Sequence, residues 1–377
     1  MAAFEEDVRP LLTPAEATQL MNEHYARLGA VRRCAALPSY DDQNWRVEVQ
    51  DTTYVLKIAA AGAACRGRAS SAATRAALEC EHAMMRAVRT AGVRAPTVIA
   101  SDGGDTLVQF AWEARTCFAR VITWVPGRPL SALRGHDASG LDRALGQVLG
   151  ACDVALQPMT PREDKADAAD RVLAWDLANA SRVSRPYLAE LFDDELRKRI
   201  EAALDAFDVF LASPKYAALP HQLIHGDAND ENILVDEAGV APGLVDFGDF
   251  VRSCRVFDLA ILLAYALFDG QGGRMASLVS DAMLDPGETL LVQQRACTIV
   301  KAYHAVCPLQ RAEIDALYVL IRARNCQTIL NAAHHFRSDP DPYKLVSAEP
   351  AKRLLRQLES WDATTFGEAL RAACGVK

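Results

Sequence analysis

The sequence predicts an α+β fold of two lobes, a small strand-rich N-lobe over residues 1–124 and a large helical C-lobe over residues 125–377. Three observations predict this fold. Short runs of β-branched and apolar residues, which are typical of strands, fill the first third of the chain. Apolar residues at helical spacing dominate the rest. Between the two parts, the segment 125–129 (Val-Pro-Gly-Arg-Pro) breaks regular structure, and the lobe boundary is placed there.

The predicted N-lobe begins with a helix, because Thr13, Pro14 and Glu16 supply an N-cap, a proline at N1 and a capping-box glutamate. Residues 59–71 have no evident period and are expected to form a loop. Residues 72–91 show an apolar face and predict one main helix. The strands of its sheet are expected at residues 45–49, 53–58, 97–100, 106–111 and 117–124.

The predicted C-lobe is a series of helices interrupted by one group of strands. Residues 222–224 lead into a loop, and residues 232–236 and 243–246 predict a hairpin. Residues 256–268 form the longest apolar run, which is too short to span a bilayer and predicts a buried helix. The helices are expected at residues 139–157, 165–181, 192–212, 255–268, 287–306, 311–335 and 348–373.

The chain has 377 residues, half of them hydrophobic, and a formal net charge of −8. This composition predicts a globular protein, and its acidic balance argues against a nucleic-acid partner. Residues 1–10 lack the basic and apolar regions of a secretory signal, and no segment predicts a membrane partner. None of the ten cysteines forms a Cys-x-x-Cys pair, which favours reduced thiols in the cytoplasm; Cys152, Cys297 and Cys326 are expected in the core. The oligomeric state stays open.

The most informative segment is 225–232 (His-Gly-Asp-Ala-Asn-Asp-Glu-Asn), which is followed by Asp-Phe-Gly at 246–248. An Asp, an Asn five positions later and a second Asp before Phe-Gly are the parts of a kinase-type phosphoryl-transfer site. We expect Asp227 to accept or orient the hydroxyl of the attacking substrate. Asn232 begins one hairpin strand and Asp246 ends the other, so these two are expected to hold Mg²⁺ together.

Two neighbours are given structural roles. Gly248 is expected to permit a sharp reversal of the backbone after Asp246. His225 is expected to hydrogen-bond to the backbone and stiffen the loop. A lone aspartate would most often be a helix cap or a turn residue, but the flanking His-Gly and the downstream Asn232 favour the catalytic role of Asp227.

Lys57 lies in the otherwise apolar strand predicted over residues 53–58. An isolated strand lysine would be expected at the surface. Together with the downstream site, a lysine that binds phosphate is the better interpretation. Glu79, on the following helix, is the first candidate for its carboxylate partner, and Glu81 is the alternative. The two lie about 200° apart around a helix, so only one is expected to face Lys57.

The segment 39–44 (Ser-Tyr-Asp-Asp-Gln-Asn) is expected to cover the nucleotide phosphates, with Ser39 and Asn44 among the binding residues. Phosphate-binding loops are often rich in glycine, because backbone amides must approach the anion. This segment contains none. Its two aspartates would repel phosphate unless their side chains turn away or bind a cation.

These motifs resemble those of the aminoglycoside phosphotransferase and choline kinase superfamily, which has a protein-kinase-like fold, and within it the hydroxylysine kinases. The resemblance implies transfer of phosphate from GTP to 5-hydroxy-L-lysine with Mg²⁺ as cofactor; the choice of GTP over ATP rests on the resemblance alone. It also implies that the backbone near Ile122 and Trp124 binds the purine. The supporting segments are residues 37–44, 54–58, 123–129, 225–234 and 246–249.

A substrate with two ammonium groups and one carboxylate needs acidic partners and one cation. Trp175 is expected either to line the substrate site or, as is commoner for tryptophan, to pack in the core. The candidates for the ammonium groups are Asp230, Glu231 and Asp249, and those for the carboxylate are Arg252 and Arg255.

Three alternatives stay open. The acceptor could be an aminoglycoside, choline, homoserine or methylthioribose, with ATP or GTP as donor, because a fold constrains the acceptor weakly. The chain could be a nucleotide-binding pseudokinase, although the full set of Lys57, Asp227, Asn232 and Asp246 argues against it. The third alternative is a helical protein with accidental motif matches, and the correct order of four motifs argues against it.

Overall fold

The protein is described by a computed structural model that covers residues 10–39, 42–62, 70–133, 139–159, 171–268, 286–338, 340 and 345–377. The chain divides into two compact units. Unit 1 comprises Met1–Thr90, Arg94–Pro126 and Pro161–Ala174, and unit 2 comprises Ala91–Val93, Gly127–Thr160 and Trp175–Lys377. The main division, after Pro126, lies close to the boundary predicted after residue 124.

Unit 1 is built on an antiparallel sheet. Its strands are β1 (Val31–Leu37), β2 (Gln43–Val49), β3 (Thr52–Ala60), β4 (Val98–Ile99), β5 (Val108–Trp112) and β6 (Arg115–Thr123). They are ordered β1-β2-β3-β6-β4, with β5 paired to β6. Strand β1 was not among the predicted strands. Each of its residues is half-buried or exposed, which is typical of an edge strand whose pattern is weak.

Helices α1 (Pro14–His24) and α2 (Ser71–Thr90) accompany this sheet. The predicted capping box is present: Thr13 Oγ1 accepts from the Glu16 amide, and Glu16 Oε2 accepts from the Thr13 amide. Apolar residues of α1 share one core cluster with the sheet residues Trp45, Leu56 and Val121. A second cluster joins α2 to the sheet and consists of Leu78, Ala59, Leu107 and Phe118. Successive side chains of β3 point to opposite faces of the sheet, so Leu56 packs in the first cluster and Ala59 packs in the second.

Unit 2 is mostly helical. Its described helices are α3 (Ser139–Leu156), α4 (Ala180–Ser184), α5 (Asp194–Leu211), α6 (Pro214–Ala217), α7 (Val256–Ala266), α8 (Pro286–Val306), α9 (Arg311–Ser338), α10 (Ala348–Glu359) and α11 (Ala363–Cys374). Helix α7 is buried along its whole length, which confirms the buried helix predicted from the longest apolar run. Helix α9 packs against α4, α5, α7, α10 and α11.

Short strands interrupt the helices of unit 2. They are β7 (Arg128–Pro129), β8 (His221–Ile224), β9 (Ile233–Val235), β10 (Pro242–Leu244) and β11 (Val251–Cys254). Strands β9 and β10 form the predicted hairpin, in which Ile233 lies opposite Leu244, and β7 pairs with the other edge of β9. Strand β8 pairs with β11, so the strand before residues 225–232, the predicted catalytic loop, is fixed by the strand after the Asp-Phe-Gly segment at 246–248.

Two predicted helices differ from the structure. Of the helix predicted at 165–181, residues 165–170 lie outside the described residues, and residues 171–176 are not helical; Asp176 instead caps a short 3-10 turn, Leu177–Asn179. The helix predicted at 348–373 is two helices. Asp362 accepts from the Thr365 amide and starts α11, which divides the run.

Two further expectations concern the three cysteines predicted in the core and the loop predicted at residues 59–71. Cys152 and Cys326 are buried as predicted, whereas Cys297 is only half-buried. In the predicted loop at 59–71, residues 63–69 lie outside the described part of the chain, as do Tyr40 and Asp41. Within the described residues, every helix is too short or too polar to cross a membrane.

Candidate active site

The loop between β8 and β9 is held by its backbone. The carboxylate of Asp258, on helix α7, accepts from the amides of His225 and Gly226, each at 2.7 Å. His225 is buried, its Nε2 contacts the Val245 carbonyl oxygen at 3.1 Å, and its Nδ1 accepts from the Asp227 amide at 3.3 Å. These contacts agree with the structural role expected of His225. The loop is therefore fixed before any ligand binds.

Gly226 is required at its position for two reasons. Its φ of +82° lies in the left-handed region that other residues adopt at a cost. In addition, a Cβ there would lie 2.3 Å from the carbonyl oxygen of Asp249. The backbone of the catalytic loop thus touches the segment after Asp246, and this contact fixes the spacing between the two motifs.

We expect Gly226→Ala to lower kcat by roughly 10²-fold, because the clash with Asp249 must displace the loop that carries Asp227 by several tenths of an ångström or more. Steady-state kinetics measures this effect. Gly239→Ala is the matched control: Gly239 also has a positive φ, of +76°, but nothing lies within 4 Å of its added Cβ. An equal loss of kcat in both variants would show that backbone strain, and not the Asp249 contact, is responsible.

Asp227 is held by three donors. Its Oδ2 accepts from the side-chain amides of Asn229 at 2.7 Å and Asn232 at 2.8 Å. Its Oδ1 accepts from Nη2 of Arg324, on helix α9, at 2.6 Å. Burial raises the pKa of Asp227 to about 6, against the lowering effect of Arg324; the charges of Asp249 and Asp246 also raise it. This carboxylate is thus oriented and lies among acidic neighbours.

The geometry of Asn232 fits a metal ligand. Its Nδ2 donates to Asp227, both to the backbone oxygen at 2.9 Å and to Oδ2, which leaves its amide oxygen as the acceptor. The Val245 amide donates to the Asn232 carbonyl oxygen at 3.0 Å, so Asn232 and Asp246 lie at the open end of the β9–β10 hairpin. One amide oxygen and one carboxylate suit Mg²⁺ that arrives with nucleotide phosphates.

The sharp reversal next to the predicted metal position lies at Asp246 and not, as predicted, at Gly248. Asp246 has a φ of +58°, in the left-handed region, whereas Gly248 is not among the residues with positive φ. Asp and Asn tolerate this conformation better than other residues with a side chain. Asp246 is exposed at the surface of unit 2. Its conformation and exposure suit a side chain that reaches an incoming ion.

We expect Asp246→Asn to raise the Mg²⁺ concentration needed for half-maximal activity by roughly 100-fold. This factor is the upper end of the loss in metal affinity that follows mutation of a residue which only supports a metal ligand. Asparagine keeps the shape and the backbone tolerance but removes the charge. A Mg²⁺ titration of activity measures the effect. Asp236→Asn, in the turn of the same hairpin, is the control, since Asp236 binds the amides of Val240 and Ala241. An unchanged Mg²⁺ requirement in Asp246→Asn would remove it from the metal site.

Unit 1 carries the predicted phosphate-binding lysine. Lys57 lies opposite Asn44 on β2 and opposite Arg120 on β6, so the three side chains share one face of the sheet. Lys57 is 4% exposed and Arg120 is completely buried. Arg120 Nη2 contacts Glu81 Oε2 on helix α2 at 3.0 Å, which identifies this face as the one that α2 covers.

Arg120 also explains how one of the two aspartates in the segment 39–44 avoids repelling phosphate. Its Nη2 contacts Asp42 Oδ2 at 3.0 Å, and the side chain of Asp42 is 8% exposed. Asp42 is thus turned inward and neutralised within unit 1, while Asp41 lies outside the described residues. The two carboxylates raise the pKa of Arg120, and they outweigh the opposite effect of burial. The buried network Asp42–Arg120–Glu81 links the turn, the sheet and helix α2.

Glu79, the first candidate for the carboxylate partner of Lys57, does not fit that role. Its side chain is 57% exposed and pairs with Arg75 one turn earlier at 3.7 Å. Glu81, the alternative, is 1% exposed and lies on the buried face of α2. The sequence contained a signal for this: Glu81 follows Leu78 by three positions and precedes Met85 by four, so it continues the apolar face.

The remaining nucleotide candidates all lie in unit 1. Ser39 follows β1 and is half-buried, and Ile122 is buried in β6. The amide of Thr123 donates to Thr97 and that of Trp124 donates to Thr53 at 3.3 Å. A purine that used these two amides would have to replace contacts inside the sheet, so the predicted purine contact through residues 121–124 stays a prediction.

The substrate candidates fall into two groups. Asp230 is buried, and Glu231, Asp249 and Arg252 are half-buried; all four lie on the segments that carry Asp227 and Asp246. Arg255 does not fit the role of binding the substrate carboxylate. It is 8% exposed, and its guanidinium contacts Glu313 at 2.7 Å and the Pro308 carbonyl oxygen at 3.0 Å, so its charge is already used within unit 2.

Trp175 is half-buried and so is not a core tryptophan. The guanidinium of Arg324 lies over its ring at 5.1 Å, and Arg324 Nη1 donates to its backbone oxygen at 3.0 Å. Sequence reasoning missed Arg324 and Asp258 as parts of the site. Asp258 had a signal, since it is a charged residue inside the longest apolar run, where burial requires a partner.

The fold and the site define an enzyme that transfers a phosphoryl group to an alcohol. The chain belongs to the phosphotransferase enzyme family, whose model matches residues 33–289. It is 25% identical to hydroxylysine kinase of Mus musculus over 94% of this chain and 91% of that protein. It is 27% identical to homoserine kinase of Allorhizobium ampelinum over 56% of this chain and 57% of that protein.

Solved structures share the bilobal α+β, protein-kinase-like fold at low identity. A solved structure of amicoumacin kinase hAmiN in complex with AMP-PNP, Ca²⁺ and Ami matches with a TM-score of 0.61 and 14% identity, over 88% of this chain and 91% of that chain. At this identity the likeness shows the fold alone. The predicted fold class is confirmed, and the chain is a small-molecule phosphotransferase with a nucleotide as donor.

Proposed function

We propose that this phosphotransferase transfers the γ-phosphate of GTP to the hydroxyl of 5-hydroxy-L-lysine. The observation that carries the proposal is the match to a hydroxylysine kinase along almost the whole of both chains, including the helices beyond residue 289. The matches to homoserine kinases cover between 48% and 76% of the chain, which makes homoserine the second candidate acceptor. Both acceptors are hydroxylated amino acids.

The residues have distinct roles in the proposed reaction. Asp227 accepts a hydrogen bond from the acceptor hydroxyl and orients it for in-line attack. Asn232 and Asp246 are the residues that would hold Mg²⁺, which neutralises charge on the phosphate oxygens when it is bound. Lys57 binds phosphate oxygens from unit 1. Because the transition state is loose, positioning and charge neutralisation matter more than removal of the proton.

The charge around Asp227 supports a cationic acceptor. Besides burial, the charge of Asp249 raises the pKa of Asp227, so this carboxylate lies close enough to interact with it, whereas Asp246 is assigned to Mg²⁺. Asp230 is also carried by the catalytic loop. In 5-hydroxylysine, an ammonium group is bonded to the carbon next to the one that bears the hydroxyl. A cluster of carboxylates at the reacting hydroxyl suits that arrangement.

A steady-state assay with 5-hydroxy-L-lysine, comparing GTP with ATP, tests the proposal. We expect acceptor-dependent GDP release, and none with lysine, which has the same charges but no hydroxyl. Turnover of homoserine without turnover of hydroxylysine would favour the second candidate. Turnover of choline, methylthioribose or an aminoglycoside alone would favour another member of the superfamily. Nucleotide binding without turnover of any acceptor would identify a pseudokinase.

A further inference from the structure

Arg324 is bound to Asp227 from a helix that no motif includes. It lies in α9, is 1% exposed, and contacts Asp227 Oδ1 at 2.6 Å across 97 positions of sequence. Its Nη1 donates to the Trp175 carbonyl oxygen at 3.0 Å and to Gln327 Oε1 at 3.2 Å. Its guanidinium lies over the rings of Trp175 at 5.1 Å and Tyr265 at 5.4 Å.

These contacts hold the guanidinium in one orientation. Arginine has a planar fork of donors, and here two of its nitrogens point to fixed acceptors while its face lies against aromatic rings. Tyr265 is itself held, because its hydroxyl contacts that of Thr328 at 3.0 Å. An arginine that merely balanced a buried charge would not need this support from Trp175 and Gln327.

The hydrogen bonds on Asp227 distinguish its two oxygens. A carboxylate offers about four acceptor sites, two on each oxygen. Oδ2 accepts from Asn229 and Asn232, and Oδ1 accepts from Arg324. Among the residues that the structure describes, no other donor reaches this carboxylate, so one site is left on Oδ1, the oxygen that Arg324 contacts.

We propose that Arg324 is a positioning residue, which fixes the carboxylate plane of Asp227 and so directs the acceptor hydroxyl to the free site on Oδ1. This inference rests on the proposed function of Asp227 in phosphoryl transfer to an alcohol. It adds a determinant in helix α9, beyond the segment that the family model matches. Arg324 touches neither the nucleotide nor the reacting atoms in this role; it acts through Asp227.

The test compares Arg324→Lys and Arg324→Ala with the wild type. Lysine keeps the charge but replaces the fork with a single ammonium group, so we expect kcat to fall by roughly 10²-fold while KM for the nucleotide stays unchanged. Arg324→Ala should lose more activity. Methylguanidinium added to Arg324→Ala should restore part of kcat, and methylammonium should not, because only the former reproduces two directed donors.

The matched control is Arg322→Lys. Arg322 lies on the same helix, its side chain is 15% exposed, and it lies over Tyr318 at 5.4 Å, away from Asp227. We expect Arg322→Lys to keep kcat. Gln327→Met is a milder variant of similar shape, which removes a contact to Arg324 without touching Asp227; it should lower kcat several-fold even where the Arg324 variants do not fold.

Distinct outcomes separate the inference from the proposed function. If the wild type does not phosphorylate hydroxylysine, the proposed acceptor is wrong, and the same variants are compared on the acceptor that turns over or on the slow hydrolysis of GTP. If both Arg324→Lys and Gln327→Met kept the kcat of the wild type, the inference would be overturned. So would equal rescue of Arg324→Ala by methylammonium, since charge alone would then suffice.

Discussion

Asp227→Asn should lower kcat by roughly 10²- to 10⁴-fold, the range for loss of a positioned catalytic base. The asparagine amide has one acceptor oxygen where the carboxylate has two. It cannot accept from Arg324, Asn229 and Asn232 and also receive the acceptor hydroxyl in the present geometry. Steady-state kinetics with the preferred acceptor measures the loss, and titration calorimetry measures nucleotide binding.

Nucleotide affinity should change little in this variant, because Asn232 and Asp246 keep their oxygens for the metal. Removal of the charge leaves Arg324 buried without its counterion, so the folded fraction of the variant must be measured alongside kcat. Asp208→Asn, at an exposed ion pair with Arg185 in the same unit, is the control for loss of a carboxylate. Near-normal turnover by a folded Asp227→Asn protein would contradict the catalytic role.

Arg120→Met should destabilise unit 1 by roughly 3–5 kcal/mol, because it leaves Asp42 and Glu81 buried without a counterion. Methionine fills a similar volume, so the effect arises from charge and not from a cavity. Hydrogen exchange of the β6 amides measures the stability of unit 1 by itself. Since Asp42 precedes β2 directly, we also expect weaker nucleotide binding in this variant.

A combined variant separates charge from packing. Arg120→Met together with Asp42→Asn and Glu81→Gln carries no buried ion, and it should recover much of the lost stability. Arg115→Met, at the exposed end of β6, should change stability by no more than about 0.5 kcal/mol. If Arg120→Met alone behaved like Arg115→Met, the buried network would not contribute to the stability of unit 1.

The parts of this enzyme that depend on neighbouring residues could be predicted from the sequence. The capping box at Thr13, the β9–β10 hairpin and the buried helix α7 each follow from a local pattern of polar and apolar residues. The catalytic loop followed from motif spacing, since Asn232 must be near Asp227 when only four residues separate them. In each of these features the interacting residues lie close together in the sequence, so a local pattern of residue types is enough to predict them.

The remaining parts depend on contacts between distant residues. Arg255 was assigned to the substrate because it lies near Asp246 in sequence, whereas the fold pairs it with Glu313, 58 positions later. Arg324 lies on a helix whose apolar residues are distributed around much of its circumference, so no face could be assigned from spacing. The left-handed backbone at Asp246 was missed because glycine is the commoner residue in that conformation.

The anchor of Asp227 in helix α9 has a consequence for how the chain can be divided. A protein cut after residue 289 would keep every signature residue and the whole segment that the family model matches. It would nevertheless lose the arginine at 324 that contacts Asp227 and the glutamate at 313 that neutralises Arg255. We therefore expect that the signature segment alone is not a self-sufficient catalytic module, and that insertions or fusions which disturb the C-terminal helices abolish turnover.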